Sequence, residues 1–269
     1  MRVMAVIFLF LVPCIISFGQ KNDFVASDSI MGDFDQLSVD NFGRIYLVKN
    51  DVITLFSKEL DTLFTTSLKS IRPTSIESSK SFRTLLFDRD RSVIQFLDNT
   101  LTDIHGEIDL VNLDIQQPQL VCESFAGNTI WVLDAGSFRL VKLNAKLEKV
   151  LITENLMTIF DGDEMPTQMI ESNDFLYVLI PGKGIAFFDI FGTFYTIYPC
   201  KAEAIDAMGN YLFVKLKGEI QVIPTDEKLL MPEFSYPLPQ DVIDFKFSRQ
   251  HLYLLKKNGL FIGNFRSKK

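Results

Sequence analysis

The stretch Asp40-Asn41-Phe42-Gly43-Arg44-Ile45-Tyr46-Leu47 contains the pattern that decides the fold. An acidic residue ends one apolar segment, a short polar turn with a glycine follows, and an aliphatic-aromatic-aliphatic triplet begins the next segment. β-branched and aromatic residues favour strands, whereas Asn and Gly favour the turns between them. The stretch therefore predicts two antiparallel strands joined by a tight turn.

The same order of residues recurs five more times along the 269-residue chain. The central residues of the six triplets lie 36 to 46 residues apart, a spacing that suits a four-stranded propeller blade. Helical repeats share this length, but no long 3.6-residue periodicity persists between the triplets. The sequence therefore predicts an all-β, six-bladed β-propeller. The central residues are Tyr46, Leu86, Trp131, Tyr177, Phe213 and Tyr253.

Each repeat adds a third strand after a turn, and five repeats add a fourth. The sixth repeat reaches residue 265 with its third strand, which leaves too little chain for another. The segment 23–30 precedes the first repeat and has the composition of a strand. We expect this N-terminal strand of the mature protein to pair as the outer strand of the last blade, closing the ring and covering an open edge. The predicted third strands are 52–57, 92–97, 139–143, 184–190, 219–223 and 260–265.

The first residues have the pattern of a secretory signal peptide. Arg2 precedes an almost wholly apolar run from residue 5 to residue 16, which is too short to span a bilayer comfortably. Ser17 and Gly19 place small residues before a cleavage site at Gln20. We therefore predict a signal peptide at 1–19 and a single β-propeller domain at 20–269. An uncleaved anchor is the alternative, and lipidation of Cys14 is disfavoured by Pro13 before it.

Charge and cysteine content exclude some partners. The formal net charge is −7 and no stretch is strongly basic, so we expect no nucleic-acid partner, since phosphate binding needs clustered Lys and Arg.

Cys122 and Cys200 fall in repeats that are not neighbours. We expect two buried thiols rather than a disulfide, although an exported protein would meet an oxidising compartment.

The cadence of residues 40–47 resembles the repeats of NHL-like six-bladed propellers. The chain from residue 20 also resembles single-propeller envelope proteins of Bacteroidetes-type bacteria, a family without an assigned activity. The segments 85–90, 96–101 and 184–193 carry this second resemblance. It implies a propeller fold and a periplasmic or outer-membrane-associated location. It brings no catalytic residue to this chain, because one fold hosts many activities.

An acidic residue recurs beside the turn of each repeat, and repetition predicts that these acids form a ring at one rim. Such a ring could bind a divalent cation or a basic partner. In the alternative interpretation, which the repeat favours, each acid stabilises its own turn by accepting bonds from nearby backbone amides. The candidate rim acids are Asp40, Glu77, Glu123, Glu171, Asp206 and Asp244.

Other motifs give no support to catalysis. His105 and His251 lie in separate parts of the repeat, without the converging ligands of a metal site. The acidic loop 161–164 lacks the later ligands of a calcium loop, and the glycine-rich turn 181–184 lacks the spacing of a phosphate loop. No Gly-x-Ser-x-Gly elbow occurs. The sequence therefore predicts no catalytic residue, no metal ligand and no cofactor.

Aromatic residues crowd the segment 187–198 and recur at Phe234 and Tyr236. Most should fill the gaps between blades, where large rings bury the most area. Any that stay exposed on one face would mark a contact surface.

Two functions follow from these observations. The first is an exported, non-catalytic scaffold of the bacterial cell envelope that binds another envelope protein and meets the membrane only by association or lipidation. The long stretches 102–118 and 155–166 could present loops for it on one face. The alternative is an enzyme or small-ligand binder of sugar or lactone type, built in the propeller channel. Its candidate polar residues are Gln36, Ser38, Ser75, Glu77, Gln119, Gln168 and Asp206.

Overall fold

The computed structural model describes residues 24–78, 82–124, 128–160, 165–226 and 230–264. These residues form six four-stranded antiparallel sheets, and the first strand of each repeat contacts its counterparts in the adjacent blades. The predicted six-bladed β-propeller is confirmed. The predicted signal peptide at 1–19, Cys14 and the acidic loop 161–164 lie outside the described residues. Within the described ranges, no helix has the length and apolar character needed to cross a bilayer.

The first three blades follow one another along the chain. Blade 1 contains β2 (Gln36–Val39), β3 (Ile45–Lys49), β4 (Val52–Phe56) and β5 (Thr62–Ser67). Blade 2 contains β6 (Ser75–Glu77), β7 (Arg83–Asp88), β8 (Val93–Asp98) and the two-residue β9 (Ile108–Asp109), followed by a 3-10 turn at Val111–Leu113. Blade 3 contains β10 (Pro118–Glu123), β11 (Ile130–Asp134), β12 (Arg139–Leu143) and β13 (Lys149–Ile152), followed by the short helix α1 (Met157–Phe160).

The remaining blades repeat this order, and the last one borrows its outer strand from the start of the chain. Blade 4 contains β14 (Gln168–Ser172), β15 (Phe175–Ile180), β16 (Gly184–Asp189) and β17 (Phe194–Tyr198). Blade 5 contains β18 (Ala204–Met208), β19 (Tyr211–Leu216), β20 (Glu219–Pro224) and β21 (Phe234–Pro237). Blade 6 contains β22 (Val242–Ser248), β23 (His251–Lys256), β24 (Gly259–Asn264) and β1 (Ala26–Met31).

The ring closes as the sequence predicts. Strand β1 pairs antiparallel with β24, from Ala26 opposite Gly263 to Met31 opposite Gly259. Glycine is needed at both ends of β24, because a Cβ on Gly259 would lie 2.5 Å from the Ile30 carbonyl oxygen and one on Gly263 would lie 2.7 Å from that of Val25. These glycines therefore let the N-terminal strand approach the last blade.

The core lies between the blades. The large central residues of the second strands, such as Tyr46 and Trp131, pack towards the following blade. In blade 2 this position belongs to Leu85, which packs with Ile130 of blade 3, whereas Leu86 packs back against Tyr46. The prediction of Leu86 as the central residue of the second repeat is therefore wrong by one residue, and Leu85 is the equivalent of Tyr46 and Trp131.

The two faces of the ring carry different connections. One face, which we call the upper face, carries two kinds of turn. These are the turns from first to second strand, such as 40–44, and the turns from third to fourth strand, such as 190–193. The lower face carries the second-to-third hairpins and the connections between blades. Parts of the two stretches predicted as loops are packed, because Leu110 and Ile115 are buried between blades 2 and 3, and Leu156 and Phe160 between blades 3 and 4. Residues 102–107, which connect β8 to β9 on the upper face, are mostly exposed.

Candidate functional site

A central channel runs between the six innermost strands and contains a cavity of about 540 Å³. Its wall mixes polar and apolar side chains, since Ile76, Ile170 and Met208 lie among the polar ones. Gln119 does not belong to this wall. Of the seven polar candidates, those that line the cavity are Gln36, Ser38, Ser75, Glu77, Gln168 and Asp206.

Three of these side chains bind the backbone of the next blade. The Ser38 hydroxyl oxygen accepts a hydrogen bond from the Ser78 amide at 3.0 Å. The Glu77 carboxylate accepts one from the Glu123 amide at 2.8 Å, and the Asp206 carboxylate one from the Phe247 amide at 2.6 Å. The three occupy the same register, opposite Tyr46, Leu85 and Phe213. A repeated interaction therefore joins consecutive inner strands at this level.

Gln36 and Gln168 at the lower mouth bind the next blade in the same way, and so does Gln119, which does not line the cavity. The Gln36 amide donates to the Pro73 carbonyl, and the Gln119 amide donates to the Pro166 carbonyl at 3.3 Å. The Gln168 side-chain oxygen accepts from the Ile205 amide at 2.6 Å.

At the last junction, the Ser248 hydroxyl of blade 6 donates to the Asp40 carbonyl of blade 1 at 3.0 Å. Each of the six junctions thus contains a hydrogen bond from an inner-strand side chain to the backbone of the next blade. We call these bonds the inter-blade clasps. Buried backbone groups need such partners, so the side chains of these clasps hold the ring together.

The six candidate rim acids do not share one level or one role. Asp40 stabilises its own turn, as the alternative interpretation predicts. Its carboxylate accepts hydrogen bonds from the Phe42 and Arg44 amides at 2.8 and 2.9 Å. Asp244 accepts from the adjacent Phe245 amide at 2.8 Å. Glu77 and Asp206, by contrast, bind across a blade junction.

Glu123 and Glu171 lie one residue further along their strands and face the preceding blade. Glu123 pairs with Arg83 at 2.7 Å. Glu171, fully buried, accepts bonds from the Ser124 hydroxyl and the Trp131 indole N–H, and the Lys142 ammonium lies 3.5 Å away. Arg83 and Lys142 also lie over aromatic rings of their own blades. These acids therefore compensate cations buried between blades.

The charged centre of the channel is Lys246. Its ammonium lies 3.8 Å from the Asp206 carboxylate. Burial disfavours the charge of Lys246, but Asp206, Asp244 and Glu77 together outweigh burial and raise its pKa. Burial raises the pKa of Asp206, and Lys246 opposes that rise. A lysine held protonated in this way is a poor nucleophile, because nucleophilic lysines need a lowered pKa.

The remaining candidates stay apart from one another. His105 is exposed on blade 2, while His251 lies on β23 beside Tyr253. The turn 181–184 is the hairpin between β15 and β16. No disulfide joins Cys122 and Cys200; Cys122 is buried as expected, whereas Cys200 is only partly buried. Among the described residues, no group of three or more His, Cys, Asp or Glu side chains is placed to hold a metal ion.

The upper face carries the exposed aromatic side chains. Phe42 is 49% exposed and Phe82 is 70% exposed, and their ring centroids lie 5.5 Å apart across blades 1 and 2. Diametrically opposite, Phe191 and Tyr195 of blade 4 are 69% and 70% exposed. Phe194 and Tyr211 add to that second group. Among the described residues, Phe64 on the outer strand β5 is the one exposed aromatic residue that lies away from this face.

Sequence reasoning did not identify the Phe42–Phe82 pair. Phe42 belongs to the eight-residue pattern that predicted the fold, and Phe82 follows the polar residues 78–81 in the sequence. The available signal was an aromatic residue among polar ones, but the contact between two such residues 40 positions apart depends on the arrangement of the blades.

Comparisons with known proteins support the fold. No protein-family model matches the chain, and no curated protein sequence matches it at a significant level. It superposes on BBS1N from a complex with ARL6DN at 17% identity and TM-score 0.58, over 85% of this chain and 77% of that one. It superposes on the Myceliophteria thermophila Cps50 (Swd1) β-propeller domain at 10% identity and TM-score 0.60, over 90% and 100%.

An enzyme has the same fold. The virginiamycin B lyase from Staphylococcus aureus superposes at 14% identity and TM-score 0.58, over 86% of this chain and 80% of the lyase. At these identities the likeness shows the propeller fold alone.

Proposed function

We propose that this protein is an exported, non-catalytic scaffold of the bacterial cell envelope that binds another envelope protein through its upper face. The observation that carries the proposal is the concentration of exposed aromatic side chains on that face, in two groups on opposite sides of the channel mouth. Exposed apolar clusters of this kind mark interaction sites, and aromatic residues dominate binding energy at interfaces.

The channel supports this assignment indirectly. Five of the six candidate side chains that line it form inter-blade clasps, and Lys246 is neutralised by the acids around it. Export rests on the pattern of residues 1–19. BBS1N was solved in a complex with ARL6DN, so a propeller of this fold can serve as a partner in a protein complex.

The test uses the full chain with a C-terminal tag, expressed in the native bacterium and crosslinked before mild-detergent purification. The wild type should recover a stoichiometric envelope protein identified by mass spectrometry. The double variant Phe42→Ser, Phe82→Ser should lose it. The matched control Phe64→Ser removes an exposed ring from β5 and should retain it. Recovery of the same protein by the double variant, or none by the wild type, would refute the proposal.

Export is tested separately. The purified protein should begin at Gln20 and should fractionate with the periplasm or outer membrane. A cytoplasmic protein that retains Met1 would exclude the envelope location. The crosslinking experiment would still test whether the upper face binds a protein.

A small-ligand binder in the channel is the second candidate, favoured by the cavity of about 540 Å³ with Lys246 at its centre. Such pockets combine apolar walls with a few polar groups. A sugar or lactone that binds there should raise the melting temperature of the wild type and not that of Lys246→Met. A panel of such compounds that leaves the wild type unchanged would eliminate this candidate.

A further inference from the structure

The rim of the upper mouth on blades 6, 1 and 2 combines aromatic rings with a cation. Arg249 lies in the turn after β22, and its Nε donates to the Asn41 carbonyl at 3.0 Å. Asn41 precedes Phe42, so this bond holds the guanidinium on the turn that also carries Phe42. The guanidinium of Arg44 lies 5.6 Å from the centroid of the Phe42 ring. Arg249 and Asn41 also line the opening of the channel. The exposed guanidinium keeps its other N–H donors directed to solvent or to a partner.

Arg249 differs from the other two arginines of this rim. Arg44 pairs with the buried Asp40 at 2.6 Å, and Arg83 pairs with the buried Glu123 at 2.7 Å. Within the described part of the chain, Arg249 makes no ion pair with a carboxylate. A protein of net charge −7 therefore presents a cation without an ion pair on the turn that carries one ring of its exposed aromatic pair.

The opposite side of the mouth has the reverse charge. Asp174 is exposed in the first-to-second turn of blade 4, and Phe175 after it contacts Tyr195 with ring centroids 5.9 Å apart. A carboxylate of a partner meets the Arg249 cation on one side of the mouth and the Asp174 carboxylate on the other. Both sides carry exposed aromatic rings, so this difference in charge favours one orientation of a charged partner across the mouth.

We propose that the partner presents an acidic peptide segment to this rim, with a carboxylate on Arg249 and an adjacent apolar or aromatic side chain on the Phe42–Phe82 pair. The inference rests on the proposed function, because it names the chemistry of the segment that the upper face binds. A guanidinium matches a carboxylate through two parallel N–H···O bonds, and the exposed rings supply the apolar contact area.

The experiment selects random peptides displayed on phage against the immobilised full-length protein. Peptides that bind the rim should contain Asp or Glu next to an aromatic or aliphatic residue. Fluorescence polarisation then measures their affinity for the wild type and three variants. Arg249→Gln should weaken binding about tenfold, equivalent to about 1.4 kcal/mol, and should flatten its salt dependence. The matched control Arg89→Gln removes an exposed arginine from the lower face and should leave the affinity unchanged.

The outcomes separate this inference from the function on which it rests. One outcome is that peptides lose affinity for the double variant Phe42→Ser, Phe82→Ser but bind Arg249→Gln as tightly as the wild type. This outcome would overturn the acidic partner and would still support binding through the aromatic pair. If the peptides bind the aromatic double variant with wild-type affinity, the result counts against both the acidic segment and the aromatic binding face. Failure to enrich any peptide overturns the acidic segment, whereas the crosslinking experiment still decides the binding face.

Discussion

Replacement of Glu171 by alanine should destabilise the junction between blades 3 and 4. The carboxylate is about 1% exposed, and it accepts hydrogen bonds from the Ser124 hydroxyl and the Trp131 indole N–H. It also faces the Lys142 ammonium, whose side chain is 12% exposed. Glu171→Ala removes the shared acceptor and leaves these buried donors without it.

The magnitude follows from which groups lose their partner. A buried donor left unsatisfied costs about 1–3 kcal/mol, and breaking a buried ion pair from one side costs about 3–5 kcal/mol. These costs overlap because the three donors share one carboxylate, so we expect a total of about 3–5 kcal/mol. Glu171→Gln keeps an oxygen acceptor for Trp131 and removes only the charge, so it should cost less than Glu171→Ala.

Urea unfolding measures this loss through a reporter that the junction contains. Trp131 is the single tryptophan of the chain and is fully buried, so its fluorescence follows the opening of this junction. Circular dichroism follows the whole sheet structure in the same samples. Glu148→Ala is the matched control, because Glu148 is an exposed acid of blade 3 that binds Asn144, and it should cost under about 1 kcal/mol.

A Glu171→Ala protein within about 1 kcal/mol of the wild type would refute the reasoning. It would mean that Lys142 and the Trp131 N–H reach solvent without penalty, contrary to their burial. Equal losses for Glu171→Ala and Glu148→Ala would likewise exclude a specific role for the buried carboxylate.

Three further predictions concern ring closure and burial. Deletion of residues 20–31 removes the five ladder pairs of β1 and should lower stability by about 3 kcal/mol or more; an unchanged melting temperature would contradict the closure. Gly259→Ala should destabilise the intact chain, because its Cβ would lie 2.5 Å from the Ile30 oxygen, and should cost less in the truncated chain, as a double-mutant cycle would measure. Burial raises the pKa of Tyr46 and of Tyr177 to about 12. The folded state keeps protons that the unfolded chain releases near pH 10, so stability should fall from about pH 10 to 12 by up to about 1.4 kcal/mol per pH unit for each tyrosine. Urea unfolding across that range should show a shallower fall in Tyr177→Phe, and an equal fall would refute the assignment.

The fold could be predicted from the sequence because each blade is built from local signals. Strand composition, turn residues and the repeat spacing all recur within 36 to 46 residues. A weak pattern in one repeat therefore does not change the number of blades that the other repeats predict. Blade 2 shows the limit of this reasoning. Leu85, Leu86 and Phe87 are equally apolar, and only packing against blades 1 and 3 decides which of them points forward.

The candidate site was less predictable, because its interactions cross blade boundaries. The recurring acids were visible, and Asp40 does bind its own turn. Glu77, Glu171 and Asp206 form bonds to residues 40 to 47 positions away. An acid at a strand end looks the same in sequence whether its partner is its own turn or the neighbouring blade.

The sequence by itself determined the number of blades, the order of their strands and the closure of the ring by the N-terminal strand, because periodicity and the missing last strand are properties of the chain as written. Only the tertiary structure decided that the polar residues of the channel hold the blades together and that the exposed aromatic rings lie on one face. Both results depend on which residues of separate repeats meet around the ring. Phe42 and Phe82 become one surface only when the two blades that carry them are placed side by side.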